Sequence, residues 1–101
     1  MGQSYLNLLG LAFRARKLTL GEEAIVESVR TNEAKLVLLS KDASNNTVKK
    51  LTDKCKSFNV SYYIVDDDRQ TLSKAIGKQG RVAVAVNDEG FANKLKQLLS
   101  E

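Results

Sequence analysis

The chain has 101 residues, of which 43% are hydrophobic and 28% are charged, a composition typical of one globular domain and not of a disordered chain. It contains no histidine and a single cysteine, Cys55. These counts exclude imidazole-based catalytic triads, intramolecular disulfides and thiolate metal clusters. No apolar run approaches the ~20 residues of a membrane span and no leader pattern precedes the first predicted helix, so we expect a soluble, cytoplasmic protein without a membrane partner.

The net charge of +4 is unevenly distributed along the chain. Residues 1–56 carry ten basic and six acidic side chains, whereas residues 57–101 carry six of each. The positive field therefore belongs to the first half, which favours a polyanionic partner. Solubility alone is the simpler interpretation of a surplus of this size.

Hydrophobic periodicity predicts helices and strands in strict alternation. Apolar residues recur at helical spacing in residues 3–15, every position of 36–39 is apolar, and three valines alternate with alanine in 81–87. Caps and turn residues set the remaining boundaries. The predicted elements are a helix over 3–15, a strand over 18–20, a helix over 21–30, a strand over 36–39, a helix capped by Ser44 or Asn45, a strand over 60–65, a short helix capped by Asp66 or Asp67 and closed by Gly77, a strand over 81–87 and a helix capped by Asp88.

This order predicts an α/β fold, a three-layer α-β-α sandwich with a four-stranded, mostly buried mixed sheet. Strands that are apolar at successive positions are typical of sheets covered on both faces by helices. The chain shows no linker, repeat or low-complexity tract, so we expect a single domain over residues 1–101.

The first candidate site is Gly21-Glu22-Glu23 at the start of the second helix. A helix N-terminus presents free N–H groups to a phosphate or a base edge, and carboxylates there can accept hydrogen bonds from guanine. The simpler interpretation is an ordinary helix start, with glycine for the turn and two acids that suit the helix dipole.

The second candidate is the loop Gly77-Lys-Gln-Gly-Arg81. It is either a plain connection or a loop that clamps a nucleic-acid backbone. Its GXXG pattern also matches the RNA-binding loop of KH domains, but that loop must lead into a helix, whereas here a predicted strand follows.

Two further features indicate structure more than chemistry. The run Asp66–Asp68 lacks spaced partner ligands, so a capped, solvated loop is a simpler interpretation than a cation site or a nuclease centre. Cys55 lies on the apolar face of its helix, as a core thiol does. We therefore expect no catalytic residue, no metal, no cofactor and no small-molecule substrate.

The order of several segments resembles the superfamily of ribosomal and ribosome-like proteins that bind kink-turns in RNA. The resemblance rests on residues 17–21 (KLTLG), 34–43 (AKLVLLSKDA) and 72–77 (LSKAIG), and it runs nearly end to end. Residues 14–17 (RARK), 53–55 (DKC) and 90–95 (GFANKL) look closest to the bacterial YlxQ-like branch.

This resemblance implies a non-catalytic α/β/α sandwich whose RNA site has two parts. The start of the second helix contacts sheared G·A pairs, and the loop before the last strand covers bulged nucleotides. Carried over position by position, the implied RNA-binding residues are Lys17, Gly21, Glu22, Glu23, Ala24, Glu27, Lys41, Ile76, Gly77, Lys78 and Arg81. Two positions depart from the family pattern, because the side chain of Ala24 cannot form hydrogen bonds and Glu27 stands where the family has a lysine.

The main hypothesis is a non-enzymatic protein that recognises a kinked or internal-loop RNA, ribosomal or ribosome-associated. Lys17 is expected near the same edge as the start of the second helix, and Ile76 is expected to pack on an extruded base. An Ile76→Asp variant should then lose RNA binding without unfolding. The departures at Ala24 and Glu27 favour an alternative, a protein-interaction module that kept the fold but lost RNA binding.

Overall fold

The computed structural model describes residues 4–100, in which five helices alternate with four strands in the predicted order. The elements are α1 (Tyr5–Arg14), β1 (Leu18–Leu20), α2 (Glu22–Arg30), β2 (Leu36–Leu39), α3 (Asn45–Ser57), β3 (Ser61–Ile64), α4 (Arg69–Ala75), β4 (Ala83–Val86) and α5 (Glu89–Leu99). Residue 3, the predicted start of the first helix, lies outside the described residues. The third and fourth strands are shorter than the predicted 60–65 and 81–87.

The four strands form one mixed sheet in the order β1-β4-β2-β3. β4 is antiparallel to both of its neighbours, and β2 pairs with β3 in parallel. The two inner strands are buried at every position, as their continuous apolar sequence predicts. β3 is an edge strand, which leaves Ser61 and Ile64 exposed.

Helices cover both faces of this sheet. Alternate residues of β2 point to opposite sides, so Leu36 and Leu38 pack with α1, α4 and α5, whereas Val37 and Leu39 pack with α2 and α3. The predicted three-layer α-β-α sandwich is therefore confirmed. None of the helices in the described part of the chain is long and apolar enough to cross a membrane.

Side chains cap the N-termini of four of the helices. Ser4, Ser44, Asp68 and Asp88 each accept a hydrogen bond from a backbone N–H in the first turn. The predictions of Ser44 and Asp88 are confirmed, but the prediction of Asp66 or Asp67 for α4 is wrong. The cap is Asp68, whose carboxylate accepts from the Thr71 N–H at 2.9 Å.

The strand pairing decides which loops meet. Leu20 lies opposite Val84 and Leu39 lies opposite Ala83, so β1 and β2 end where β4 begins. The start of α2, the loop after β2 and the loop that leads into β4 therefore share one end of the sheet.

Candidate functional site

A cleft at this end of the sheet joins the two candidate segments of the sequence. Its walls come from the first turn of α2, the start of α3 and the segment leading into β4. The lining residues are Gly21, Glu22, Thr47, Gly80, Arg81, Val82 and Ala83. Segments about 60 positions apart in sequence are thus neighbours, because β1 pairs with β4.

The first turn of α2 is open at this cleft. Gly21 supplies no side chain to cap the helix, and the first helical bond is donated by the Ile25 N–H to the Gly21 carbonyl at 2.9 Å. The N–H groups of Glu22, Glu23 and Ala24 have no partner within the described residues. Gly21 has φ +93° and ψ 133°, a backbone conformation that L side chains rarely adopt.

The charges around α2 are arranged in pairs. The Glu22 carboxylate lies 3.9 Å from the ammonium group of Lys50 on α3. One turn further on, the Glu27 carboxylate accepts from the Arg30 guanidinium at 2.6 Å. The negative charge at Glu27 is therefore matched within its own helix, whereas Glu23 and Ala24 are exposed beside the cleft.

The loop between α4 and β4 is held by one buried hydroxyl. Ser73 is 1% exposed, and its Oγ accepts from the Arg81 N–H at 2.7 Å and donates to the Arg81 carbonyl at 3.2 Å. Its own carbonyl accepts from the Lys78 N–H at 2.9 Å. Ser73 is absent from the residues predicted from the sequence. The signal that could have indicated it is a serine on the apolar face of a short helix that precedes a glycine loop.

Ile76 does not point into the cleft. It is 3% exposed and packs in the core between the sheet and the layer of α1, α4 and α5. Its place at the end of α4 turns the side chain inward, so in this structure Ile76 offers no exposed surface for the expected contact with an extruded base. The partly buried Val82, absent from the sequence prediction, provides an apolar side chain in the cleft.

The basic candidates divide between two ends of the sheet. Lys41 follows β2, and Lys78 and Arg81 lie in the loop before β4, all at the end that holds the cleft. Lys17 lies at the other end of β1, where its carbonyl accepts from the Asn87 N–H at 2.7 Å. Lys17 and Gly21 are four residue steps apart, about 13 Å of strand, so the backbone of Lys17 lies at the opposite end of β1 from the cleft, away from the expected placement at the same edge.

The aspartate run has structural partners. Asp67 accepts from the Tyr5 hydroxyl at 2.5 Å, and this bond, together with burial as the larger cause, raises the pKa of Tyr5. The pKa of Asp68 lies below its ordinary value, chiefly because the Thr71 N–H donates to its carboxylate. Within residues 4–100, no group of three or more acidic, histidine or cysteine side chains is arranged to hold a metal ion.

Cys55 is fully buried between α3 and the sheet, as predicted for a core thiol. Burial raises the pKa of its thiol to about 11.

Two solved structures share this α/β/α architecture. One, described as a protein with unknown function from Bacillus halodurans C, has a TM-score of 0.94 and 47% identity and covers 99% of this chain and 100% of its own. The other, the Giardia lamblia 15.5kD RNA binding protein, has a TM-score of 0.81 at 17% identity, with 99% of this chain and 88% of that chain covered. At that identity, the second likeness shows the fold alone.

The sequence comparisons identify the family. The model of the ribosomal protein L7Ae/L30e/S12e/Gadd45 family matches residues 3–96. RNA-binding protein YlxQ from Bacillus subtilis (strain 168) is 53% identical over 98 residues, which are 97% of either protein. RNA-binding protein YlxQ from Enterococcus faecium is 39% identical over 97 residues, 96% of this chain and 92% of that protein. The chain belongs to the ribosomal protein L7Ae/L30e/S12e/Gadd45 family, which confirms the predicted resemblance.

Proposed function

We propose that this chain is a single RNA-binding domain over residues 1–101, without catalytic activity, that recognises a kinked or internal-loop RNA of the kink-turn type. The observation that carries this proposal is the cleft in which the uncapped start of α2 lies beside Arg81 and Val82. The family and the printed names of the two curated relatives support RNA as the ligand. In this proposal the protein binds RNA on the ribosome or in association with it, in the cytoplasm.

The start of α2 suits the exposed base edges of a distorted RNA. Carboxylate oxygens of Glu22 and Glu23 accept hydrogen bonds, and guanine offers N–H donors on its base edge. The free backbone N–H groups of the same turn donate to base or phosphate oxygens. Lys50 beside Glu22 reduces the repulsion that a carboxylate would exert on nearby phosphates.

Three cations around the cleft suit the RNA backbone. Lys41, Lys78 and Arg81 form no ion pair with any residue between 4 and 100. About three phosphate contacts correspond to a slope of about −2 to −3 in log K against log salt concentration. Binding should therefore weaken as salt is added, while the preference for a kinked over a regular RNA remains.

Val82 and the Glu27–Arg30 pair bear on two difficulties of the proposed site, the buried side chain of Ile76 and the reversed charge at Glu27. Val82 offers an apolar surface to an unstacked base in the cleft, the role first assigned to Ile76. The reversed charge at Glu27 is compensated by Arg30, so this position adds little repulsion toward RNA. At Ala24 the free backbone N–H remains available as a donor, so neither departure requires the alternative of a module that lost RNA binding.

A calorimetric titration tests the proposal with two RNAs that differ only at the kink. The first contains sheared G·A pairs and bulged nucleotides, and in the second these G·A pairs are replaced by Watson–Crick pairs. We expect tight binding to the first and at least about tenfold weaker binding to the second, a difference of about 1.4 kcal/mol. Equal, weak binding that salt abolishes for both RNAs would contradict structure-specific recognition and would turn the search to protein partners.

A further inference from the structure

A second groove lies between α1 and α4, next to the loop that leads into β4. Its walls carry apolar and basic side chains and include no carboxylate. The lining residues are Leu6, Asn7, Gly10, Leu11, Arg14, Thr71, Lys74 and Ala75. The helices approach closely because α1 has a glycine at the crossing: a Cβ on Gly10 would lie 2.8 Å from the Ala75 carbonyl oxygen.

A third depression, along α4, lies between the groove and the cleft at α2. This depression shares the lining residue Lys74 with the groove and the lining residue Gly80 with the cleft. Lys78 lies in this depression, and its ammonium group sits 5.5 Å from the centre of the Phe13 ring on α1. That cation–π contact places a loop cation between the two sites.

The charged side chains that line the groove and the depression along α4 are all basic. Arg14, Lys74 and Lys78 are exposed, and none of them forms an ion pair with a residue in the described range. Arg69, at the far side of the depression, is bound to Asp42 at 3.1 Å and so contributes little field. Leu11 is one of two large hydrophobic residues exposed in the described part of the chain, at 44%.

We propose that the α1–α4 groove binds an unpaired RNA segment that leaves the kinked element, an inference that rests on the proposed function. Phosphates of this segment lie against Arg14 and Lys74, and a base or ribose packs on Leu11. An unpaired strand suits the groove better than a duplex, because its bases are free to contact an apolar side chain between two helices. The depression along α4, which shares a lining residue with the groove and another with the proposed RNA cleft, favours RNA over an acidic protein as the occupant.

The proposal is tested with a kinked RNA that ends at its stems and with the same RNA carrying an unpaired tail of about ten nucleotides, on the 5′ or the 3′ side. We expect one of the tails to increase the affinity of the wild-type protein by about tenfold and to make the salt slope steeper by about 1–2. Lys74→Gln and Leu11→Ser should each remove most of that gain and leave the affinity for the tail-less RNA within about twofold. Lys56→Gln, an equal charge change at the far end of α3, should retain the gain.

Two results overturn the inference: a tail that adds no affinity on either side, or variants that weaken both RNAs equally. Failure of the proposed function looks different, because the wild-type protein then fails to distinguish the kinked RNA from its Watson–Crick control. An unstructured RNA of about ten nucleotides, titrated in parallel, tests the groove in that case too. Weak binding that Lys74→Gln reduces and Lys56→Gln does not supports the groove, and binding unaffected by Lys74→Gln rejects it.

Discussion

The hydroxyl of Ser73 and the backbone of Arg81 form a two-way hydrogen-bonded link between α4 and the strand-side end of its loop. The Arg81 N–H donates to Ser73 Oγ at 2.7 Å, and the hydroxyl donates back to the Arg81 carbonyl at 3.2 Å. Because Ser73 is buried, water does not compete readily for this link. The loop conformation at the cleft therefore depends on a residue that does not line the cleft itself.

Removing this hydroxyl should loosen the loop. In Ser73→Ala, the Arg81 N–H loses its partner, and we expect the free energy of unfolding to fall by about 1–3 kcal/mol. Binding of a kinked RNA should weaken by up to about tenfold, because the loop must be ordered on binding. Chemical denaturation and calorimetric titration measure the two effects. Ser57→Ala, at an exposed position at the end of α3, is the control, and an equal loss in it would argue against the link.

Any side chain introduced at Gly21 should lower the stability of the fold. Its φ of +93° lies in a region that residues with a Cβ rarely adopt, although the added Cβ would have free space. We expect Gly21→Ala to lower the free energy of unfolding by about 1–3 kcal/mol through backbone strain, and to weaken RNA binding by misplacing the first turn of α2. Glu23→Ala, on ordinary helical backbone in the same turn, should leave stability nearly unchanged. A Gly21→Ala protein as stable as the wild type would contradict the inference that the backbone at this position is unfavourable for a residue with a Cβ.

Substitution by aspartate should have different effects at Ile76, where it destabilises the fold, and at Val82, where it weakens RNA binding. Ile76→Asp puts a carboxylate in the core, so we expect a loss of about 2–5 kcal/mol or more in the free energy of unfolding. Val82→Asp changes a partly exposed cleft residue outside both core clusters and should largely preserve the fold while weakening RNA binding. Circular dichroism during thermal melting and RNA titration separate the two outcomes. A well-folded Ile76→Asp protein that has lost RNA binding would restore the original assignment of Ile76.

The thiol of Cys55 should be unreactive in the folded protein. Burial raises its pKa to about 11, so at pH 8 the group is both protonated and shielded from solvent. We expect an aromatic disulfide reagent to label it only on unfolding, and the labelling rate at pH 8 to rise steeply with denaturant. Labelling of the native protein at the rate of a free cysteine would show that the core around α3 opens readily.

Most of the fold could be predicted because each element carries a local signal. The continuous apolar run Leu36–Leu39 marked an inner strand, and Ser44 and Asp88 marked helix starts through their capping chemistry. The cap of α4 was misassigned because three consecutive aspartates give the same local signal. Only the backbone geometry distinguishes Asp68 from its two neighbours.

The candidate site was predicted less well because its residues depend on orientation. The start of α2 and the loop before β4 were both recognised, and strand pairing brings them together. The inward direction of Ile76 and the link from Ser73 depend on how the last turn of α4 packs on the sheet. Lys17 is close to Gly21 in sequence, yet the strand between them separates the two by its full length.

An amide NMR titration of the isotopically labelled protein tests the central claim most directly, because it reports on each backbone N–H. Addition of a kinked RNA should shift the N–H signals of Glu22, Glu23 and Ala24 together with those of Gly80–Val82, while signals near Lys56 stay in place. The same RNA with Watson–Crick pairs at the kink should produce small shifts that salt removes. Large shifts confined to the edge strand β3, or none at the start of α2, would contradict the account.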